Sequence, residues 1–109
     1  IVYVEGEKTP YTGVIEGYNE QGKLEGKASY KDGKMNGSSK LYYPNGKLGS
    51  EATFKNDVQI GVQKDYYENG KLKAEVPYKN GQVDGTAKAY DENGKVIEQV
   101  IFKNGQKVK

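Results

Sequence analysis

Apolar and polar residues alternate one by one over several short stretches of this chain. Residues 72–79 read LKAEVPYK, and every second position from Leu72 to Tyr78 is apolar. Residues 48–55 and 96–103 carry a similar alternation. A period of two residues is typical of a β-strand with one apolar face. Glycine or Asn-Gly interrupts the chain at short intervals, which disfavours helices. The pattern therefore predicts an all-β chain.

The alternating unit recurs four times, with a spacing of 24 residues and without insertion or deletion. We divide the chain into a lead-in segment or degenerate repeat at residues 1–12 and four repeats at 13–36, 37–60, 61–84 and 85–109. Aromatic residues keep the register in two columns: Tyr18, Tyr42, Tyr66 and Tyr90, and Tyr30, Phe54, Tyr78 and Phe102. Two glycine columns do the same, and we predict structural turns there: Gly22, Gly46, Gly70 and Gly94, and Gly37, Gly61 and Gly85.

Turn dipeptides separate the predicted strands within and between repeats. Asn45-Gly46 belongs to a type of dipeptide that tolerates positive φ, as tight hairpin turns require. A second turn series includes Asn80-Gly81, but its member at Asn56-Asp57 lacks glycine. Asn and Asp reach the left-handed region at modest cost, so we expect this turn to be kept. Pro77 lies within a predicted strand and lacks an N–H, so it should face a bulge or an edge.

These signals together predict an elongated antiparallel β-meander of stacked hairpins, forming a single-layer curved sheet. About eight strands at ~4.8 Å spacing would span roughly 35–40 Å. The sequence offers no amphipathic helix to cover the apolar face, so the sheet curls, dimerises or receives a partner. The face in question carries these residues: Leu24, Leu48, Leu72, Tyr30, Phe54, Tyr78 and Phe102.

Composition disfavours several classes of function. All 17 basic residues are lysine, against 15 acidic residues, and this balance argues against nucleic-acid binding. The chain lacks His and Cys, which disfavours thiol chemistry, disulfides and most acid–base catalysis. We predict no cofactor, no metal site and no enzymatic activity. Glu51 and Glu75, about 10 Å apart by sheet spacing, are the nearest approach to a glycosidase carboxylate pair.

The candidate binding residues are tyrosines: Tyr42, Tyr43, Tyr66, Tyr67 and Tyr90. The tyrosine column either forms the core of the repeats or presents a ladder for sugar rings or a peptide. Tyr43 and Tyr67 should point to the opposite face and occur only in the middle repeats; cross-strand packing is their alternative role. Lysines at the turns either keep the sheet soluble or attract anionic lipid or another polyanion.

The unit Tyr-x-x-Asn-Gly-Lys-Leu, followed by aromatic-Lys-Asn-Gly, resembles the bacterial MORN-repeat variant over residues 13–109. The resemblance implies a curved sheet of hairpins that serves as a non-catalytic scaffold. Some bacterial relatives are labelled antitoxins of toxin–antitoxin pairs, and others are envelope or secreted proteins. Eukaryotic relatives are associated with protein scaffolding and phosphoinositide binding.

Two hypotheses follow from the resemblance. In the first, an antitoxin-like scaffold binds a protein partner through an aromatic sheet face. In the second, a cell-envelope or secreted protein binds lipid or glycan. The expected compartment is the bacterial cytoplasm in the first case and the envelope or exterior in the second, where a signal peptide would have been removed. Homo-oligomerisation is compatible with either.

Overall fold

The computed structural model describes residues 12–108, which form ten antiparallel strands in one open sheet without a helix. The predicted lead-in therefore lies outside the described residues, except for Thr12. The strands are β1 (Gly13–Tyr18), β2 (Leu24–Lys31), β3 (Lys34–Tyr42), β4 (Leu48–Lys55), β5 (Val58–Tyr66), β6 (Leu72–Lys79), β7 (Gln82–Val83), β8 (Gly85–Tyr90), β9 (Val96–Lys103) and β10 (Gln106–Lys107).

Spatial order follows chain order, and this confirms the predicted β-meander. The path runs from β1 to β6, then to β8, β9 and β10, while the short strand β7 also pairs with β6. Eight strands are long, as predicted, and the two additional ones have two residues each. The described part measures 49 × 35 × 15 Å, and the thinnest dimension fits a single sheet with side chains on both faces.

Two kinds of turn alternate along the sheet. The short turns have two residues at positive φ, and Asn56 (51°) and Asp57 (67°) adopt this geometry without a glycine. The long turns have five residues, as at 43–47, where the N–H of Gly46 donates to the carbonyl of Tyr43 at 2.9 Å. The long turns contain Gly22, Gly46, Gly70 and Gly94, all at positive φ. Because the chain reverses at every turn, the long turns lie together at one end of the strands and the short turns lie at the other end. We call these two sides of the sheet the long-turn edge and the short-turn edge.

The second glycine column lies in strands rather than in the predicted turns. Gly37 and Gly61 lie inside β3 and β5, and Gly85 begins β8. The register shifts at Gly61. Glu51 and Thr53 of β4 are two positions apart, but their partners on β5, Lys64 and Ile60, are four positions apart. The extra residues form a bulge, and a glycine at positive φ lets the backbone accommodate them.

Pro77 lies opposite such a bulge, as expected from its missing N–H. On one side it pairs with Val62 of β5. On the other side, regular pairing of β6 stops at Glu75 and resumes at Tyr78. The carbonyl of Pro77 accepts a 2.9 Å hydrogen bond from the N–H of Asp84 in this gap. The N–H that Pro77 lacks is therefore at a position where the main-chain hydrogen bonds between β6 and the next strand are already interrupted.

The sheet has no second layer over either face in the part that the structure describes. No hydrophobic side chain from residue 12 to residue 108 is buried, and most side chains within the strands are half-buried. Stability therefore comes from the hydrogen-bonded ladder and from packing between neighbouring side chains on each face. Both faces are available for contact with another molecule.

Candidate interaction surfaces

Strand register assigns the side chains to two faces. Directly paired residues of adjacent strands share a face. The pairing of Lys40 with Glu51 defines what we call the charged face, and the pairing of Ser39 with Ala52 defines the opposite face, which we call the groove face. The two faces differ in chemistry, so each is a separate candidate surface.

A continuous row of paired residues crosses the charged face, one from each long strand. The row alternates in charge through its centre, where Lys64 lies between Glu51 and Glu75. Its members in spatial order are Glu16, Lys27, Lys40, Glu51, Lys64, Glu75, Lys88 and Gln99. Opposite charges on neighbouring strands favour this register, whereas the adjacent pair Lys27 and Lys40 opposes it.

The tyrosine column lies beside this row and uses its carboxylates. The hydroxyl of Tyr66 donates to Oε1 of Glu51 at 2.9 Å, and that of Tyr90 donates to Oε1 of Glu75. Partial burial and this hydrogen bond raise the pKa of Tyr66 above its ordinary value. The hydrogen bond to Glu75 is the main cause that raises the pKa of Tyr90. Both phenols are therefore held in the neutral, donating form.

Tyr18 differs from the inner members of the column. Its hydroxyl bonds Oε1 of Glu16 in its own strand at 3.2 Å, and the negative charge of Glu16 is the main cause that raises its pKa. Its side chain is 57% exposed. The contact does not join two strands, so it adds little to the sheet.

Tyr43 and Tyr67 connect successive repeats. The hydroxyl of Tyr43 donates to the main-chain carbonyl of Tyr66, and that of Tyr67 donates to the carbonyl of Tyr90 at 2.7 Å. The Nζ atom of Lys73 lies 5.7 Å from the ring centre of Tyr67, within range of a cation–π interaction. These contacts support the packing alternative for the two residues. The binding role predicted for the five tyrosines stays a prediction.

The groove face has a floor of small side chains beside a row of aromatic ones. Ala87 pairs with Val100, and Ala74 pairs with Ala89, so three alanines lie close together on β6 and β8. The aromatic row of this face contains Tyr30, Phe54, Tyr78 and Phe102. Each of these four residues pairs with a residue of an adjacent strand that lies at a bulge or beyond it. Small residues next to large ones make a depression. One such depression is lined by Ala74, Val76, Val83, Ala87, Ala89, Val100 and Phe102, together with Lys88 and Glu98.

Strand β5 interrupts the apolar character of the groove face with polar side chains. The Nε2 atom of Gln59 donates to Gln63 at 2.8 Å, and Gln63 in turn contacts Asp65 at 3.3 Å. The hydroxyl of Ser50 donates to the same Asp65 oxygen at 2.8 Å. This chain of hydrogen bonds separates the apolar region of β6–β9 from that of β1–β4.

Sequence reasoning missed the charged row, although its signal was present in the repeat. Glu51 and Glu75 occupy equivalent positions of their repeats, and Lys27 occupies this position in the first repeat. The tyrosine that bonds each glutamate lies 15 residues later in the chain. Within the described residues, there is no cluster of acidic side chains that could hold a metal ion and no helix long and apolar enough to cross a membrane.

Comparison with known proteins identifies the repeat. The family described as MORN repeat variant matches four times, at residues 11–32, 35–56, 59–80 and 83–104. A search of curated proteins gives no match. One similar solved structure is that of accessory secretory proteins 1, 2 and 3 from Streptococcus pneumoniae, with 15% identity and a TM-score of 0.49. The alignment covers 94% of this chain but only 19% of that one.

Proposed function

Because the chain belongs to the MORN repeat variant family, whose repeats are generally non-catalytic interaction modules, we propose that it is a scaffold that binds a protein partner through the groove face. The observation that carries this proposal is the single-layer sheet of residues 12–108, within which no other element covers the apolar side chains of either face. A partner that covers the groove face would remove apolar surface from water, the main source of binding free energy in such contacts.

The region of β6–β9 supports the proposal best. Its alanine floor lets another backbone approach closely, and Val83 and Phe102 supply larger apolar contacts beside it. Repeat sheets bind partners through such extended surfaces. An apolar segment of a protein fits this depression better than a sugar does, because few of its lining side chains offer hydrogen bonds.

The finer form of the proposal is antitoxin-like. It predicts that the partner is a single small toxin, bound near one-to-one, whose activity the scaffold suppresses. In either form the chain contributes no catalysis of its own. The hydroxyls of Tyr66 and Tyr90 are hydrogen-bonded to the carboxylates of Glu51 and Glu75.

The competing hypothesis of lipid or glycan binding has weaker support. The lysines of the long turns lie along one edge of the sheet: Lys23, Lys47, Lys71 and Lys95. Acidic residues stand in the same turns, among them Glu20, Glu68 and Glu92. They dilute the positive field that an anionic surface would need.

Affinity capture from the source cell, followed by mass spectrometry, tests the proposal when matched variants are included. Ala87→Lys places a charge on the groove floor, whereas Thr86→Lys places the same charge on the opposite face, one residue away. Circular dichroism checks that both variants fold. We expect a stoichiometric protein partner that is lost with Ala87→Lys and kept with Thr86→Lys. Equal retention by both variants, or recovery of only lipid or polysaccharide, would contradict binding through the groove face.

A further inference from the structure

Among the inner tyrosines of the column, Tyr42 alone lacks a carboxylate partner. Tyr66 and Tyr90 donate to glutamates that lie 15 residues earlier in the chain. The residue 15 positions before Tyr42 is Lys27. Within the described part of the chain, the Tyr42 hydroxyl has no hydrogen bond, and Lys27 and Lys40 form neither a hydrogen bond nor an ion pair. One hydroxyl and two ammonium groups thus make no hydrogen bond or ion pair within the described residues, although Glu16 and Glu51 lie opposite the two lysines on β1 and β4.

The three sites have the same backbone geometry. Lys27 pairs directly with Lys40, as Glu51 pairs with Lys64 two strands away. Tyr42 follows Lys40 by two positions, so it is a diagonal neighbour of Lys27, within reach of an aromatic side chain. The site at Lys27 therefore keeps the phenol and the lysine of the other sites. It replaces their carboxylate with a second ammonium group.

We propose that Lys27, Lys40 and Tyr42 form an acceptor site for a carboxylate side chain supplied by an acidic segment of a protein. A carboxylate between the two lysines would relieve their mutual repulsion, and it would accept the hydrogen bond that Tyr42 is placed to donate. The sites at Glu51 and Glu75 carry the supporting evidence, because there the same phenol geometry holds a glutamate side chain.

Neighbouring acidic residues favour a single carboxylate over a dense anionic surface. Glu16 pairs with Lys27 from β1, Glu51 pairs with Lys40 from β4, and Glu25 lies two residues before Lys27 on β2. They repel a membrane rich in anionic headgroups, whereas one side chain approaching between the lysines meets their two ammonium groups first. The proposed acidic segment lies on the charged face, so this site is independent of the groove face.

Amide NMR titration of the full chain with a blocked Glu-Gly-Glu peptide tests the proposal, with the Gln-Gly-Gln peptide as control. We expect saturable shifts at Lys27, Lys40 and Tyr42 with the glutamate peptide only. Lys27→Glu fills the site from within the chain and should weaken peptide binding about tenfold or more. Lys55→Glu makes the same change of charge at the short-turn edge and should leave the affinity within about twofold. Tyr42→Phe should weaken binding by about threefold to tenfold.

Three results would overturn the proposal. The first is a titration without saturation, and the second is equal binding of both peptides or equal binding by Lys27→Glu. The third is binding of inorganic phosphate, or of phosphatidylglycerol-containing vesicles, that depends on Lys27 while the glutamate peptide does not bind. Ala87→Lys should leave peptide binding intact, so failure of this site and failure of the groove face are distinguishable.

Discussion

The side chain of Asp57 accepts a hydrogen bond from the N–H of Met35 at 2.7 Å, across 22 positions of the sequence. The N–H of Asp57 also donates to the carbonyl of Met35 at 2.9 Å. The equivalent glycines, Gly81 and Gly105, make only the main-chain contact, to Gln59 and Val83. The residue that replaces the usual turn glycine thus adds a second link between neighbouring hairpins.

Asp57→Gly should therefore destabilise the protein, although glycine is the better residue at positive φ. The expected loss is about 0.5–1 kcal/mol, because the gain in backbone freedom offsets only part of the lost hydrogen bond. Asp57→Asn keeps an acceptor oxygen and a tolerance of positive φ, so it should change the free energy of unfolding by less than about 0.5 kcal/mol. Urea denaturation measures both. Greater stability of the glycine variant would show that the side-chain link is dispensable.

Tyr67→Phe should lower the free energy of unfolding by about 1 kcal/mol. The change removes the hydroxyl that bonds the carbonyl of Tyr90 but keeps the ring beneath Lys73. Tyr78→Phe is the matched control, since the Tyr78 hydroxyl has no hydrogen bond within the described residues. Chemical denaturation of the two variants compares them directly. Equal stability of the two would mean that the link between repeats contributes nothing.

Tyr66 should make stability depend on alkaline pH. Its pKa is raised in the folded protein above the ordinary 10.0, so its hydrogen bond to Glu51 contributes fully below pH 10.0. The contribution is lost as the pH rises through the raised pKa of the folded state. The stability difference between wild type and Tyr66→Phe should therefore shrink from about pH 8 to about pH 11.

Denaturation curves at both pH values measure this difference. Comparison with Tyr66→Phe cancels the titration of lysines that both proteins share. Tyr30→Phe is the second reference, since the Tyr30 hydroxyl has no hydrogen bond among residues 12–108. A stability difference that stays constant with pH would contradict the assigned role of the Tyr66 phenol.

Gly85→Ala should cost more than Gly70→Ala, although both glycines have positive φ. A Cβ atom at Gly85 would lie 3.0 Å from Cγ of Pro77, whereas one at Gly70 would meet nothing within 4 Å. We expect losses of about 1–2 kcal/mol for Gly70→Ala and about 2–3 kcal/mol for Gly85→Ala. Gly17→Ala has neither problem and should be nearly neutral. Thermal and urea unfolding rank the three, and a reversed order would exclude the bulge contact as the cause.

The fold was predictable because its signals are local. Alternation marks the strands, as in residues 72–79, and Asn-Gly marks the long turns. Pro77 indicated a bulge or an edge beside it, but the glycine column did not indicate bulges, because a glycine such as Gly61 in an alternating pattern is compatible with either a turn or a bulge. Each bulge shifts the pairing, and a shifted register changes which side chains meet. Which charges are neighbours in the charged row therefore depends on the register, although the repeat already places Glu51 and Glu75 at equivalent positions.

The candidate site was less predictable than the fold for the same reason. The tyrosines were identified from sequence, but their partners depend on register. Tyr66 bonds Glu51 across a pair of strands whose register is shifted by a bulge. The hydroxyl of Tyr43 bonds a main-chain carbonyl, and such a partner cannot be identified from residue types. From sequence alone, Asp57 is only a less suitable replacement for the turn glycine. Its role becomes clear from its hydrogen bond with Met35.

The strands contact mainly their neighbours in the sheet, and the repeat has a constant length of 24 residues. Duplication or loss of one unit by recombination would leave the pairing of all other strands intact. Each such event adds or removes two strands, about 10 Å of sheet. The distance between the lysine pair on β2 and β3 and the alanine floor on β6 and β8 is therefore a heritable quantity that changes in fixed steps. A change in the number of repeats can therefore fit this distance to a partner without altering either surface.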